Sequence, residues 1–203
     1  MGSTPTLPTN AEVSMKFFLF LMLLLGAAVL VYGASEPRIW GPFFYPLQYR
    51  QTIQTYARTN DLDSNLVAAV IYEESRFNAG QQSRAGAIGL MQLLPTTAES
   101  VSKSLGESDF STGTLLDPDR NVRYGTAYLK YLLGKYNGDL DWALAAYNAG
   151  ETNVDSWLAE KRGDIPFPET DSFVAEVKQS RKMYDTIYGN WYEGDGETSG
   201  GQR

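Results

Sequence analysis

The stretch that decides the fold ends in IYEESRF, at Ile71–Phe77. Upstream of Glu74, apolar residues recur at the spacing of one face of an α helix: Leu66, Val67, Val70 and Ile71. Asp63 or Ser64 is suited to cap this helix, which we predict to continue to about Arg76. Glu74 follows the last three of these apolar residues by seven, four and three positions, so its side chain projects from the face expected to point inward.

A carboxyl group on that apolar face has two possible uses. Desolvation penalises the charged form and raises the pKa, which is how a Glu becomes a general acid near neutral pH. The alternative is an ion pair with Arg76, Arg84 or a remote Lys, and helical spacing alone leaves both open. Glu73 points about 100° away around the helix.

The amino-acid composition excludes several kinds of active site. The chain has 203 residues with 17 Lys+Arg and 24 Asp+Glu, a formal net charge of −7, and it contains neither His nor Cys. Nucleophilic centres that need His or Cys, redox dithiols and the usual zinc ligands are therefore excluded. We expect no metal and no cofactor, and the acidic balance argues against nucleic acid as a partner.

The N-terminal part differs from the rest. Phe17–Val31 reads FFLFLMLLLGAAVLV, which is 15 strongly apolar residues, between the length of a signal-peptide core and the roughly 20 residues of a membrane-spanning helix. Residues 1–35 are predicted to be a polar lead followed by a signal peptide or a membrane anchor. Met15, followed by Lys16, is an alternative start to Met1.

The remaining chain is predicted to hold one mainly α-helical domain at residues 47–188, preceded by a Pro- and aromatic-rich linker at 36–46. Asn121–Tyr136 has the clearest helical pattern, and Ile88–Leu94 is a short apolar, β-like segment. The polar tail at residues 189–203 is predicted to be disordered.

Three sequence blocks occur in a fixed order at fitting separations. They are IYEESRF, then AGAIGLMQLLPTTA at Ala85–Ala98, then AAYNAG at Ala145–Gly150, with LDPDRN at Leu116–Asn121 as further support. Together they resemble the soluble-type lytic transglycosylase domain (SLT, glycoside hydrolase family 23). The resemblance covers about Tyr45 to Tyr188 and implies a lysozyme-like fold of the goose type with a small β-like segment.

The resemblance also implies a reaction. Members of this family cleave the β-1,4 bond between N-acetylmuramic acid and N-acetylglucosamine in peptidoglycan and leave 1,6-anhydro ends. By position, the family's Glu is Glu74, which would act first as general acid and then as general base. Ser75–Ala98 contains no Asp or Glu, which suits a single-carboxylate scheme. The alternatives are a muramidase-type hydrolase and a catalytically silent peptidoglycan-binding module.

The same resemblance implies substrate-binding residues, each of which also has a structural interpretation such as a core position or a helix cap: Ser75, Met91, Gln92, Tyr147, Asn148 and Glu169. The expected partners are peptidoglycan strands and, through the N-terminal segment, a membrane. The expected location is the bacterial cell envelope, at the periplasmic face of the inner membrane or exported, or a virion membrane if a phage encodes the chain. Components of an envelope-spanning machine or of a virion are further possible partners.

Overall fold

The computed structural model describes residues 10–189 and residue 191. Within these residues the chain forms nine α helices and one short 3-10 helix. In chain order they are α1 (Asn10–Ser35), α2 (Pro37–Phe44), α3 (Arg50–Thr59), α4 (Ser64–Ser75), α5 (Pro95–Ser104), the 3-10 helix (Thr112–Leu116), α6 (Pro118–Lys135), α7 (Leu140–Ala149), α8 (Glu151–Ala159) and α9 (Pro168–Tyr188). The predicted mainly α architecture is confirmed.

Helix α4 lies at the centre of the domain. The Asp63 carboxylate accepts a hydrogen bond from the Asn65 backbone N–H at 2.9 Å and so caps the N-terminus, as predicted. Every residue from Ser64 to Ile71 is buried, because α3 and α9 pack against this helix. The helix ends where Arg76 adopts a left-handed conformation with φ of 50°.

The β-like segment is smaller than a sheet. Ile88 forms isolated antiparallel bridges with Gln82 and with Leu93, and these are the only β pairings among the described residues. Gly89 has a φ of 86°, and an added Cβ there would collide with the Asn121 amide. The segment therefore folds as a tight loop.

The predicted linker at 36–46 contains a helix, and this corrects the prediction. Pro37 occupies the first turn of α2, where a missing N–H costs little. Gly41 is buried against Ile187 of α9, and an added Cβ would lie 2.5 Å from the Ile187 Cδ1 atom. The packing against α9 orders a segment whose composition alone is typical of a linker.

The tail predicted to be disordered from residue 189 is ordered at its beginning. The Asn65 amide donates to the Gly189 carbonyl at 3.3 Å, and the Trp191 indole N–H donates to the Asn65 amide oxygen at 2.7 Å. Residue 190 and residues 192–203 lie outside the described residues, as do residues 1–9 of the predicted polar lead.

Candidate active site

Glu74 lies in the last turn of α4, in a largely apolar environment. The three apolar residues that precede it on the same face, Val67, Val70 and Ile71, are fully buried, and Glu74 itself is partly buried. Burial raises the pKa of Glu74 from 4.5 to about 8, and the neighbouring charge of Glu73 adds to this. Within the described part of the chain, the Glu74 carboxyl has neither an ion pair nor a hydrogen bond. The ion pair left open by the sequence is therefore not formed there.

Glu73, one position earlier, is in the opposite situation. Its carboxylate pairs with Arg76 at 3.1 Å and accepts a hydrogen bond from the Ser180 hydroxyl of α9. The Arg76 guanidinium also lies 3.8 Å from the centroid of the Tyr72 ring. Two adjacent carboxyl groups thus differ in kind, because one is compensated by a cation and the other is left to hold a proton.

Ser75 joins α4 to the β-like loop. Its hydroxyl donates to the Leu90 carbonyl at 2.7 Å, and it also lies 3.1 Å from the Ile71 carbonyl. The side chain is buried, and both of these hydrogen bonds are made to backbone carbonyls. Through the hydrogen bond to Leu90, Ser75 fixes the position of the loop relative to α4.

The loop residues Met91 and Gln92 are held from two sides. The Met91 N–H donates to the Asn121 amide oxygen at 2.8 Å, and the Met91 side chain is fully buried. The Gln92 amide donates to the carbonyls of Gln81 at 3.1 Å and Gly89 at 2.8 Å. Both donors of the Gln92 amide are used inside the loop, so only its oxygen is left to accept from a ligand.

Tyr147 connects this loop to α7. Its hydroxyl donates to the Met91 carbonyl at 2.7 Å. Burial raises the pKa of Tyr147 well above its ordinary value, and the charge of Glu74 contributes to the increase. Tyr147 is therefore close enough to Glu74 for the Glu74 charge to affect its pKa. The Tyr147 hydroxyl stays neutral over the pH range in which Glu74 titrates.

Asn148, near the end of α7, and Glu169, at the start of α9, are both exposed. The Asn148 amide oxygen accepts a hydrogen bond from the Thr170 hydroxyl at 2.8 Å, which ties the end of α7 to the start of α9. Glu169 is in the first turn of α9, a favourable place for a carboxylate near a helix N-terminus. Among the described residues, no hydrogen bond joins it to Glu74 or to Tyr147.

A two-carboxylate mechanism would need a second acidic side chain from elsewhere in the chain. Four acidic residues outside Ser75–Ala98 have other partners. Asp63 pairs with Arg181 at 2.6 Å, and Asp61 lies 3.5 Å from Lys130. Asp117 caps helix α6, since its side chain accepts from backbone N–H groups, and Asp119 accepts a hydrogen bond from the Tyr56 hydroxyl at 2.6 Å. No described group of three or more acidic side chains could hold a metal ion.

Residues 51–165 match the family described as "Transglycosylase SLT domain". The chain belongs to this family. The SLT match ends before α9, the helix that packs along α4 and carries the hydroxyl donor to Glu73.

Relatives of known description agree with the SLT assignment. The chain is 33% identical over 164 residues to the soluble lytic murein transglycosylase of Escherichia coli, covering 76% of this chain and 25% of that protein. It is 40% identical over 116 residues to the transglycosylase of Enterobacteria phage PRD1, covering 57% of this chain and 40% of the phage protein. The chain thus spans less than half the length of either relative.

A solved structure confirms the fold of the SLT domain. The lytic transglycosylase Slt of Pseudomonas aeruginosa, solved as an inactive mutant, superposes with a TM-score of 0.67 at 34% identity. The superposition covers 73% of this chain and 26% of that one. The described domain therefore has the fold of a lytic transglycosylase structure.

A cavity adjoins the site on the side of α5 and α6. It has a volume of about 430 Å³, and its lining includes Tyr128, Tyr131 and Glu151. The Tyr128 ring lies 5.5 Å from the Tyr147 ring and stacks on Tyr131 at 6.2 Å. This aromatic wall next to a row of hydroxyl side chains is suited to a sugar chain, in which apolar ring faces alternate with hydroxyl groups.

The sequence did not assign roles to two residues of the SLT site. Asn121 is fully buried and donates to the carbonyls of Ile88 and Leu115, both at 2.9 Å, while it accepts from Met91. Thr170 orients Asn148. The only sequence signal for Asn121 is its place at the end of LDPDRN, and no pattern in the sequence singles out Thr170.

Proposed function

We propose that this chain is a peptidoglycan lytic transglycosylase in which Glu74 is the single general acid and base. The observation that carries the proposal is the state of Glu74: it is partly buried, it has no counter-ion among the described residues, and its pKa is raised to about 8. Such a carboxyl holds its proton at neutral pH, as a general acid must. The names of the murein transglycosylase relatives supply the substrate class.

The proposed reaction cleaves the β-1,4 bond between N-acetylmuramic acid and N-acetylglucosamine. Glu74 donates its proton to the bridging oxygen as the bond to C1 breaks. The resulting carboxylate then removes the proton from the muramoyl 6-hydroxyl, whose oxygen closes onto C1 as a 1,6-anhydro ring. No water is consumed, and the enzyme ends with Glu74 protonated again. A neighbouring carboxylate is not required, which agrees with the other uses found for Asp63 and Asp119.

The remaining predicted residues are proposed to support this step in two ways. Ser75 and Tyr147 hold the loop that carries Met91 in place, through hydrogen bonds to the Leu90 and Met91 carbonyls. Gln92 offers its amide oxygen to the substrate, because its donors are occupied.

The exposed Asn148 and Glu169 are proposed to contact the sugar. Thr170 holds the Asn148 amide in place, which leaves its N–H groups free to donate.

Analysis of the products from purified murein tests the function. We expect the natural chain to release muropeptides with 1,6-anhydro ends, detected by mass spectrometry. Reducing muramic ends would indicate a hydrolase instead, and binding without any product would indicate a silent module. The Glu74→Gln variant should bind murein but release no product. Glu73→Gln is the matched control one residue away and should keep activity; an active Glu74→Gln protein would refute the assignment.

We also propose that the N-terminal segment places the domain in the cell envelope as a single-pass anchor. Ser14–Gly33 is a 20-residue apolar helix, none of which is buried against the domain. Its length of about 30 Å equals the hydrocarbon thickness of a bilayer. N-terminal sequencing of the membrane fraction distinguishes a retained anchor from a cleaved signal. The proposed membrane is that of a bacterial envelope, or a virion membrane if a phage encodes the chain; the similarity to a phage transglycosylase supports keeping the second setting.

A further inference from the structure

Helix α2 is attached to the catalytic domain along one face. Gly41 is buried and lies directly against Ile187 of α9. The Arg38 guanidinium donates to the Thr186 carbonyl at 3.3 Å. The Tyr72 hydroxyl of α4 donates to the Phe44 carbonyl at 2.9 Å. These contacts with α9 and α4 fix the orientation of α2 relative to the domain.

The other face of α2 exposes large apolar side chains. Ile39 is 63% exposed, Phe43 84% and Phe44 57%. The Phe44 ring lies 5.2 Å from the Phe43 ring and 5.7 Å from the Trp40 ring, so the aromatic residues form one cluster. A contiguous apolar patch on a protein surface marks an interaction site, and aromatic side chains are enriched where proteins meet the interface of a membrane.

The position of α2 in the chain indicates what covers this patch. The apolar helix α1 ends at Ser35, and Glu36 alone separates it from Pro37, the first residue of α2. When α1 crosses a bilayer, α2 must emerge within a few ångströms of the bilayer surface. A lipid surface is therefore the one partner that the chain itself brings to the patch.

We propose that α2 lies in the interfacial layer of the membrane that α1 spans, with Ile39, Phe43 and Phe44 inserted between lipid chains. This inference rests on the membrane anchor in the proposed function. Because α2 is fixed to α9, and α9 packs along α4, the lipid contact sets the orientation of Glu74 relative to the membrane. The domain then acts at a defined height above the bilayer and does not move freely on a tether.

The contact is hydrophobic and needs no anionic lipid. The chain carries a net charge of −7, so a negatively charged membrane would repel it overall. The one basic residue of α2, Arg38, is already bound to the Thr186 carbonyl. Insertion should consequently occur in zwitterionic phosphatidylcholine and should be insensitive to salt.

The full chain permits a site-specific test because it contains no Cys. Phe43→Cys is labelled with an environment-sensitive fluorophore and reconstituted in phosphatidylcholine vesicles; its side chain is 84% exposed and its ring contact is with Phe44 of the same helix, so labelling leaves the contacts of α2 with α9 and α4 in place. Ser156→Cys on the exposed surface of α8 is the matched control. Lipids with a spin label just below the headgroup should quench the label at position 43 several-fold more than the label at position 156.

Flotation with the vesicles separates the possible failures. If the chain floats but the label at position 43 stays in water and escapes lipid quenching, the anchor stands and the inference about α2 is overturned. If the label is shielded from aqueous iodide yet not quenched by lipid, a protein or a second copy covers the patch, which also overturns it. A chain that does not float overturns the anchor and the inference together, while leaving the murein reaction untouched.

Discussion

Replacing Glu74 by Gln should stabilise the protein at neutral pH even as it abolishes activity. The carboxyl has a pKa of about 8 in the folded chain and of 4.5 as an ordinary group. A group whose pKa is raised by folding contributes most to stability below its unfolded value, and this contribution is lost as the pH rises through the folded value. Gln is close to Glu in shape and stays neutral, so it does not carry this pH-dependent loss.

The size of the effect follows from the two pKa values. Between them the folded state holds one more proton than the unfolded state, so the free energy of unfolding falls by about 1.4 kcal/mol per pH unit. From 4.5 to neutral pH this amounts to about 3 kcal/mol for Glu74. The stability difference between Glu74→Gln and the natural chain should grow from near zero at acidic pH to about this value.

Urea unfolding of the full chain in detergent, at a series of pH values, measures this difference. Trp157, which is buried in the core, provides the fluorescence signal. Glu73→Gln is the control with the opposite sign: it loses the ion pair with Arg76 and turns the charge-assisted hydrogen bond from Ser180 into a neutral one, so it should be less stable by about 1 kcal/mol at neutral pH. A Glu74→Gln difference that does not change with pH would refute the assignment of a raised pKa to Glu74.

Four further predictions concern the reaction and the loop. Turnover should fall above pH about 8 as Glu74 loses its proton, and the pH profile of kcat measures this. Tyr147→Phe removes the hydrogen bond to Met91 and should cost about 1 kcal/mol in chemical unfolding and lower kcat. Asn121→Leu leaves buried backbone groups unpaired and should cost at least about 2 kcal/mol. Gly125→Ala would place a Cβ 2.8 Å from the Met91 Cβ and should lower stability by about 1–3 kcal/mol by thermal denaturation.

The sequence was sufficient where local rules decide the structure. The cap at Asp63 and the inward face of α4 follow from side-chain chemistry and helical spacing, and both are confirmed. Helix α6 begins at Pro118, before the predicted start at Asn121, although Asp117 and Pro118 form a recognisable cap and first turn. The sequence therefore contains the signal for the start of α6 at Pro118, which the helical pattern from Asn121 does not include.

The sequence was insufficient where distant residues decide the structure. In the sequence, Gly41 is typical of a linker, but in the structure it packs against Ile187. In the sequence, Trp191 belongs to a polar tail, but in the structure its indole N–H donates to the Asn65 amide oxygen. In both cases the ordering partner is more than a hundred positions away, so no local pattern indicates it. Likewise, no local pattern indicates that the Ser75 hydroxyl donates to the Leu90 carbonyl, 15 positions further along the chain.

The hydrogen bonds of the site divide its side chains into those with fixed partners and one acid without a partner. Ser75 and Tyr147 donate to loop carbonyls, and the Gln92 amide donates within the loop, so these groups are committed before any ligand arrives. Glu74 is the titratable group left without a partner in this part of the described structure. We call Ser75, Tyr147 and Gln92 the frame of the site. The frame sets the positions of the groups around Glu74, whereas the pKa of Glu74 is set by its own burial and by the charge of Glu73. Substitutions in the frame should therefore lower kcat at every pH, whereas Glu73→Gln, which removes a neighbouring charge, should move the alkaline limb of the profile to lower pH.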